Sequence, residues 1–435
     1  MSINSTPSLA ANLKFETVTL KNGLTVNLLQ RQEIPILTMS LKVKAGLIME
    51  KEGETGIANL TSELLEMGTK DFTAEKLSDE IDFMGASFGA GVEKDTADMD
   101  FEALTKDLDK AIYYFSQIVV HPTFPTKEIE QKKEEIIADL IRQKEKPGTI
   151  ARKAFLKELY NKHPYSHPAD GTIESVKKIT QNNITDFYKR NYLPNNSYLS
   201  IVGNFDKKQL LSLLEKYFGE WKQGELPTLP ENPKELTNKE ITFIPMEITQ
   251  ANIIFGHLGI SRSNPDFFKI RIMNYILGGG GFASRLLSDL RDSKGLTYGI
   301  YSSFATGLEE GSFIVSIQTK NESAKDALQG ILEHINKIKQ KQVTVQEYEE
   351  AMSYLTGSFF MKLDTNRKMA DILGAISLHN LGNDYLERYI HNLKSVTRKD
   401  ILEVAQKYLS SEKYKIVIVG DEKKMGKQEI IKAFQ

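Results

Sequence analysis

The sequence predicts an α+β fold made of two similar domains in tandem, and three observations predict it. A chain of 435 residues exceeds what one hydrophobic core usually supports, so two domains are expected. Strand and helix patterns come in blocks rather than in strict alternation, which favours α+β over a doubly wound α/β sheet. The two halves of the chain also end alike. Thr180 to Gly203 reads T-Q-N-N-I-T-D-F-Y-K-R-N-Y-L-P-N-N-S-Y-L-S-I-V-G, and Thr397 to Gly420 reads T-R-K-D-I-L-E-V-A-Q-K-Y-L-S-S-E-K-Y-K-I-V-I-V-G. Thr and Gly are 23 positions apart in both stretches, Ile184 matches Ile401, and Asp186 matches Glu403. A repeat this long signals duplication of a whole domain rather than a solenoid.

The elements follow in order. Phe15 to Leu29 alternates around Lys21-Asn22-Gly23, and Asn-Gly accepts the positive φ of a type I′ hairpin turn. Ile36 to Ala45 reads as a strand. Gly56 to Glu66, Ala74 to Met84 and Asp107 to Val119 read as helices. Thr126 to Tyr160 reads as a long helical stretch interrupted near Pro147, because proline removes a helix donor and clashes with the preceding turn. Thr180 and Thr397 are expected N-caps of helices that lead into the two I-V-G strands. Phe205 to Trp221 is amphipathic and helical.

Lys222 to Glu240 carries Pro227, Pro230 and Pro233 among polar residues. It is expected to be an extended linker between domains 1–221 and 241–435. In the second half, Ala251–His257 and Ser312–Gln318 read as strands. Phe267–Leu277, Ala283–Asp292, Ser323–Lys339 and Val345–Leu363 read as helices.

Composition excludes several functions. The formal net charge is -2, without the basic footprint that nucleic acid requires. The chain has no cysteine, which removes disulfides, thiolate metal sites and a cysteine nucleophile. No run approaches the roughly 18 apolar residues of a membrane-spanning helix. Met1 to Ala11 is polar and serine-rich and does not read as a signal peptide. A periplasmic location is expected only if a leader was removed; otherwise the reading is cytoplasmic.

Two motifs carry chemistry. Gly56 to Thr69 reads G-I-A-N-L-T-S-E-L-L-E-M-G-T, and Gly278 to Ser303 reads G-G-G-G-F-A-S-R-L-L-S-D-L-R-D-S-K-G-L-T-Y-G-I-Y-S-S. The first resembles the zinc helix of the insulinase/pitrilysin-type metallopeptidases, G-x-x-H-x-x-E-H followed by G-T. In that helix two histidines share a face and a glutamate activates water. Here Asn59 stands at the first histidine, Ser62 at the catalytic glutamate and Glu63 at the second histidine. Asp139, 76 positions after Glu63, falls at the third ligand. An amide and two carboxylates suit a hard cation better than zinc, so the expectation is a degenerate site and no metal in this chain.

The second stretch resembles the C-terminal signature of the same family, in which Arg291 and Tyr298 match a substrate-contacting Arg/Tyr pair. Arginine donates paired hydrogen bonds to a carbonyl or carboxylate, and a tyrosine hydroxyl can stabilise a developing oxyanion. A surface arginine and a strand tyrosine are the plain alternative.

Other candidates are weaker. His163 and His167 have H-x-x-x-H spacing, but Pro164 and Pro168 break any helix there. The family shows a similar H-P-Y loop. Gly278–Gly281 lacks the Lys-Ser/Thr of a phosphate loop.

The resemblance covers nearly the whole chain. It implies two domains of the mitochondrial-processing-peptidase-like metallohydrolase fold, forming half of a clamshell. It also implies a non-catalytic subunit of a heterodimeric zinc peptidase. An H-x-x-E-H partner would supply zinc, and this chain would supply Arg291 and Tyr298 to a peptide or unfolded-protein substrate. Extended substrate would add a strand to a sheet edge in the partner. Two alternatives stand beside this: a scaffold resembling cytochrome bc complex core subunits, and an enzyme using another metal at Glu63 and Asp139.

Overall fold

The computed structural model describes residues 14–434; the reading of Met1 to Ala11 lies outside them. The chain forms two compact units, each built on one mixed sheet.

The first unit holds β1 (Glu16–Thr19), β2 (Thr25–Gln30), β3 (Ile36–Val43), β4 (Ser87–Val92), β5 (Ala97–Leu104) and β6 (Ser197–Gly203), in the order β1-β2-β6-β3-β5-β4. β2 and β6 run parallel, and every other neighbouring pair is antiparallel. The second unit holds β7 (Lys239–Pro245), β8 (Gln250–Leu258), β9 (Thr297–Ala305), β10 (Ser312–Lys320) and β11 (Tyr414–Gly420), in the order β7-β11-β8-β10-β9. Only β7 and β11 run parallel. With β1 set aside, the two sheets have the same order and the same strand directions. The duplication read from the sequence ends is therefore a duplication of topology.

The hairpin forms with a different turn. Leu20 N–H bonds to the Leu24 carbonyl and Gly23 N–H to the Leu20 carbonyl, both at 2.9 Å. Gly23 has φ 83°, whereas Asn22 is not among the positive-φ residues. A type I′ turn needs positive φ at both central positions, so this is a three-residue loop closed by a left-handed glycine.

Both expected caps form. Thr180 with Asn183, and Thr397 with Asp400, make reciprocal capping boxes at the starts of helices Gln181–Asn191 and Arg398–Tyr408. Each box satisfies amide donors that the first helical turn leaves free. The stretch interrupted at Pro147 becomes two helices, Thr126–Gln143 and Pro147–Tyr160, with the proline in the first turn of the second. Between Lys222 and Thr237 no helix or strand forms, and β7 begins at Lys239.

The compact units do not follow the sequence halves. Residues 141–166 belong to the second unit and residues 360–387 to the first. Helix Pro147–Tyr160 packs on β8 and β11, and helix Asn366–Leu378 packs on β3 and β6. Each sheet is thus covered by a helix from the other half of the chain. The fit is close in both places. A Cβ on Gly256 would lie 2.9 Å from the Phe155 ring, and one on Gly374 would lie 3.0 Å from Lys42.

Lys42 is buried and bonds Asp98 at 2.8 Å and Asp371 at 2.6 Å. Burial alone would lower its pKa, but the two carboxylates hold it raised. The ammonium therefore stays charged under the helix.

A candidate degenerate metal site and an Arg/Tyr segment

The first motif lies on helix Ile57–Glu63, whose N-cap is Gly56 at φ 91°. Gly56 has no capping side chain of its own. Glu50 supplies the cap from outside the helix. Its Oε1 accepts from Gly56 N–H at 2.9 Å and Ala58 N–H at 3.2 Å, and its Oε2 lies 2.9 Å from His167 Nδ1. The Glu50 side chain is fully buried. Burial pushes its pKa up, against the opposing pull of His167 and the two amides. A buried carboxylate at a helix N-terminus is favoured by the orphan amides and the helix dipole. His167 is therefore a partner of the helix cap. His163 accepts from Tyr165 N–H in the same loop.

At the far end of the helix, Asn59 Nδ2 donates to Glu63 Oε1 at 2.8 Å. Lys132 Nζ, from helix Thr126–Gln143, lies 3.6 Å from Glu63 Oε2 and 2.8 Å from Glu135. Ser62 is buried and donates to the Gly91 carbonyl of β4 at 3.4 Å. Asp139 is half-buried on the same helix as Lys132, seven residues further on. That spacing places it two turns along the face from which Lys132 reaches out. Neither Lys132 nor Glu50 was legible as a site residue, since their partners lie far away in sequence or are backbone amides.

This donor set does not fit zinc. It offers an amide already turned to Glu63, a hydroxyl already bonded to a strand, and a carboxylate facing an ammonium. Zinc sites are built from imidazole, thiolate and carboxylate, and a divalent ion beside Glu63 would be repelled by Lys132. Among the described residues, no group of three or more His, Cys, Asp or Glu side chains is gathered to hold a metal ion.

The second motif is handled differently. The stretch read as helix Phe267–Leu277 is α-helical to Asn274 and then opens into a π turn over Tyr275–Gly279. The stretch read as Ala283–Asp292 is one short helical turn, Arg285–Leu287, followed by a second π turn, Ser288–Ser293. Gly280 N–H bonds to the Tyr275 carbonyl and Lys294 N–H to the Asp289 carbonyl, each at 2.9 Å. The five-residue spacing of these bonds is the π signature, and such turns recur at functional sites.

The second π turn is tied down on both sides of Arg291. Arg285 binds Glu347 through two bonds of 2.6 and 2.9 Å. Burial alone would raise the Glu347 pKa, but Arg285 and Thr344 hold it down at about 2. Asp289 bonds His334 at 2.9 Å and Lys294 at 2.8 Å.

Arg291 itself has no carboxylate partner among the described residues, and its guanidinium lies 4.8 Å from the centre of the exposed Phe282 ring. Tyr298 is 89% exposed on β9, an edge strand of its sheet. The structure thus puts Arg291 on a braced turn and Tyr298 on the strand that follows it, both in the second unit.

Comparison with known proteins identifies the family. Residues 26–172 match the profile described as Insulinase (Peptidase family M16), and residues 178–355 match Peptidase M16 inactive domain. A zinc protease of Rickettsia bellii, named as uncharacterized, is 25% identical over 415 residues, covering 93% of this chain and 97% of that protein. A crystal structure described as the peptidase M16 inactive domain from Pseudomonas fluorescens superposes with a TM-score of 0.89 at 28% identity, covering 94% of this chain and 98% of that one. A Helicobacter pylori protease structure shares the fold, with a TM-score of 0.88 at 20% identity over 94% of this chain and 99% of that one. Matched across both halves, and with its zinc helix folded but stripped of histidine, this chain belongs to the insulinase-type peptidase family M16.

Proposed function

We infer that this chain is the zinc-less subunit of a two-chain peptidase. A homologous partner carrying H-x-x-E-H supplies the zinc, its water and the general base. This chain closes the chamber and offers Arg291 and Tyr298 to an extended peptide. The observation that carries this reading is the contrast between the two motifs. Asn59, Ser62 and Glu63 are bonded within their own unit, whereas Arg291 has no carboxylate partner among the described residues and Tyr298 is almost fully exposed. An exposed tyrosine on an edge strand contributes little to a core, and aromatic and arginine side chains are the residues that anchor interfaces.

Reconstitution tests the reading. This chain and an H-x-x-E-H homologue from the same genome are purified apart, assayed on a fluorogenic peptide and then mixed. The expected result is no turnover by either chain alone, and zinc-dependent turnover by a mixed complex. Turnover by this chain alone, or a mixture no more active than the homologue, would overturn it. In the second case a scaffold role would be favoured.

A further inference from the structure

β9 departs from the alternation of an ordinary strand at the position of Tyr298. Its first six residues run buried, exposed, exposed, buried, exposed, buried, so Tyr298 and Gly299 both face solvent in succession. The pairing explains why. Ile300 lies opposite Ile317 and Thr297 opposite Thr319, which leaves Tyr298 and Gly299 facing the single residue Gln318. Two residues against one is a β-bulge, a device that bends a strand and re-aims a side chain.

Two threonine hydroxyls hold this bulge. Thr297 Oγ1 accepts from Gly299 N–H at 3.0 Å. Its own proton goes to the Gln318 carbonyl at 2.6 Å, with the Gly299 carbonyl also in reach at 2.8 Å. Across the ladder, Thr319 Oγ1 donates to the Leu296 carbonyl at 2.5 Å. Both threonines are buried. A bulge interrupts the ladder bonds of the strand it bends, and here the paired threonines replace them, each reaching into the other's strand. Leu296 N–H in turn bonds to the Leu290 carbonyl at 2.8 Å, so the clamp is continuous with the turn that carries Arg291. A Cβ on Gly299 would meet nothing within 4 Å. The bulge is thus not forced by crowding at Gly299.

We propose that Thr297 and Thr319 are positioning residues for Tyr298, clamping the bulge that turns its ring out toward bound peptide. The inference rests on the function proposed above for Tyr298. The clamp itself is testable without that function.

Thr297→Val keeps the shape and removes the hydroxyl, and Thr297→Ser restores it. Hydrogen exchange, read by mass spectrometry on the segment 296–302, is expected to rise about tenfold in Thr297→Val, the scale of one lost net hydrogen bond. Thr297→Ser should exchange like the parent. In the reconstituted complex, Thr297→Val should lower kcat/KM about as much as Tyr298→Phe. Adding Tyr298→Phe to Thr297→Val should cost little more, because residues acting through one another are not additive.

Unchanged exchange in Thr297→Val would overturn the clamp. Losses that multiply in the double variant would overturn its role in placing Tyr298. If Tyr298→Phe alone leaves turnover intact, the proposed function is what fails, and the exchange measurement still decides the clamp.

Discussion

The helix Ile57–Glu63 and the segment Arg285–Ala305 carry the two family motifs, and they dispose of their polar side chains in opposite ways. At the helix, the positions of the lost ligands are satisfied internally: Asn59 to Glu63, Glu63 to Lys132, Ser62 to β4. At the segment, the supporting residues are satisfied while the motif residues are not. Arg285, Asp289 and Thr297 are paired, Arg291 has no carboxylate partner among the described residues, and Tyr298 stands in solvent. A site that has lost its purpose relaxes into its own hydrogen bonds, because unpaired polar groups in a half-buried place are costly. Under the proposed function, the outward groups of the second segment stay open for a peptide and are braced from behind.

That contrast can be broken or sharpened experimentally. The largest effect is expected at Arg291. Arg291→Lys keeps the charge but loses the planar fork, and kcat/KM of the reconstituted complex should fall about tenfold or more. A complex as active as the parent would reduce Arg291 to a surface charge.

Glu50→Ala comes next. It strips the cap from Gly56 and Ala58 and leaves His167 without its carboxylate, which should cost about 3 kcal/mol of stability. Urea unfolding of the isolated chain measures this. A change within experimental scatter would mean that water replaces the cap.

A smaller effect is expected from acid at the Arg285–Glu347 pair. The folded pKa of Glu347 is about 2, depressed from 4.5, so its contribution is present above 4.5. It is lost as pH falls through that window toward 2. Replacing Glu347 with Gln should flatten this part of the pH–stability profile. An identical profile would remove the brace from the account. The smallest effect is expected from zinc, which should leave the thermal midpoint of the isolated chain within about 1 °C of its metal-free value, since only a bound ligand stabilises the native state. A clear rise would reopen a metal site at Glu63 and Asp139.

The sequence made the repeat, the caps and both motifs legible, because each depends on residues close together in the chain. Thr180 and Thr397 signal their helices through side chains only three positions away. What it hid depends on distance or on backbone detail. The π turns at Tyr275–Gly279 and Ser288–Ser293 share the apolar content of an ordinary helix and differ only in which carbonyl each amide chooses. The strands β4 and β5 are absent from the elements predicted above. β4 carries two glycines, which weaken a strand signal, whereas β5 places Asp98, Asp100 and Glu102 at every second position between buried residues, the alternation that marks a half-buried strand. The reassignment of residues 141–166 and 360–387 to opposite units leaves no local mark. Lys132 reaches Glu63 across 69 positions, and nothing near either residue announces it.

The central claim is that this chain serves a zinc site it does not carry. The most direct test is peptide turnover by a reconstituted complex in which only this chain bears Arg291→Ala and Tyr298→Ala. The account predicts a complex that assembles and retains the partner's zinc, with kcat/KM reduced by about 10²-fold or more, the scale of losing a transition-state hydrogen-bond donor. Full turnover by that complex would contradict it.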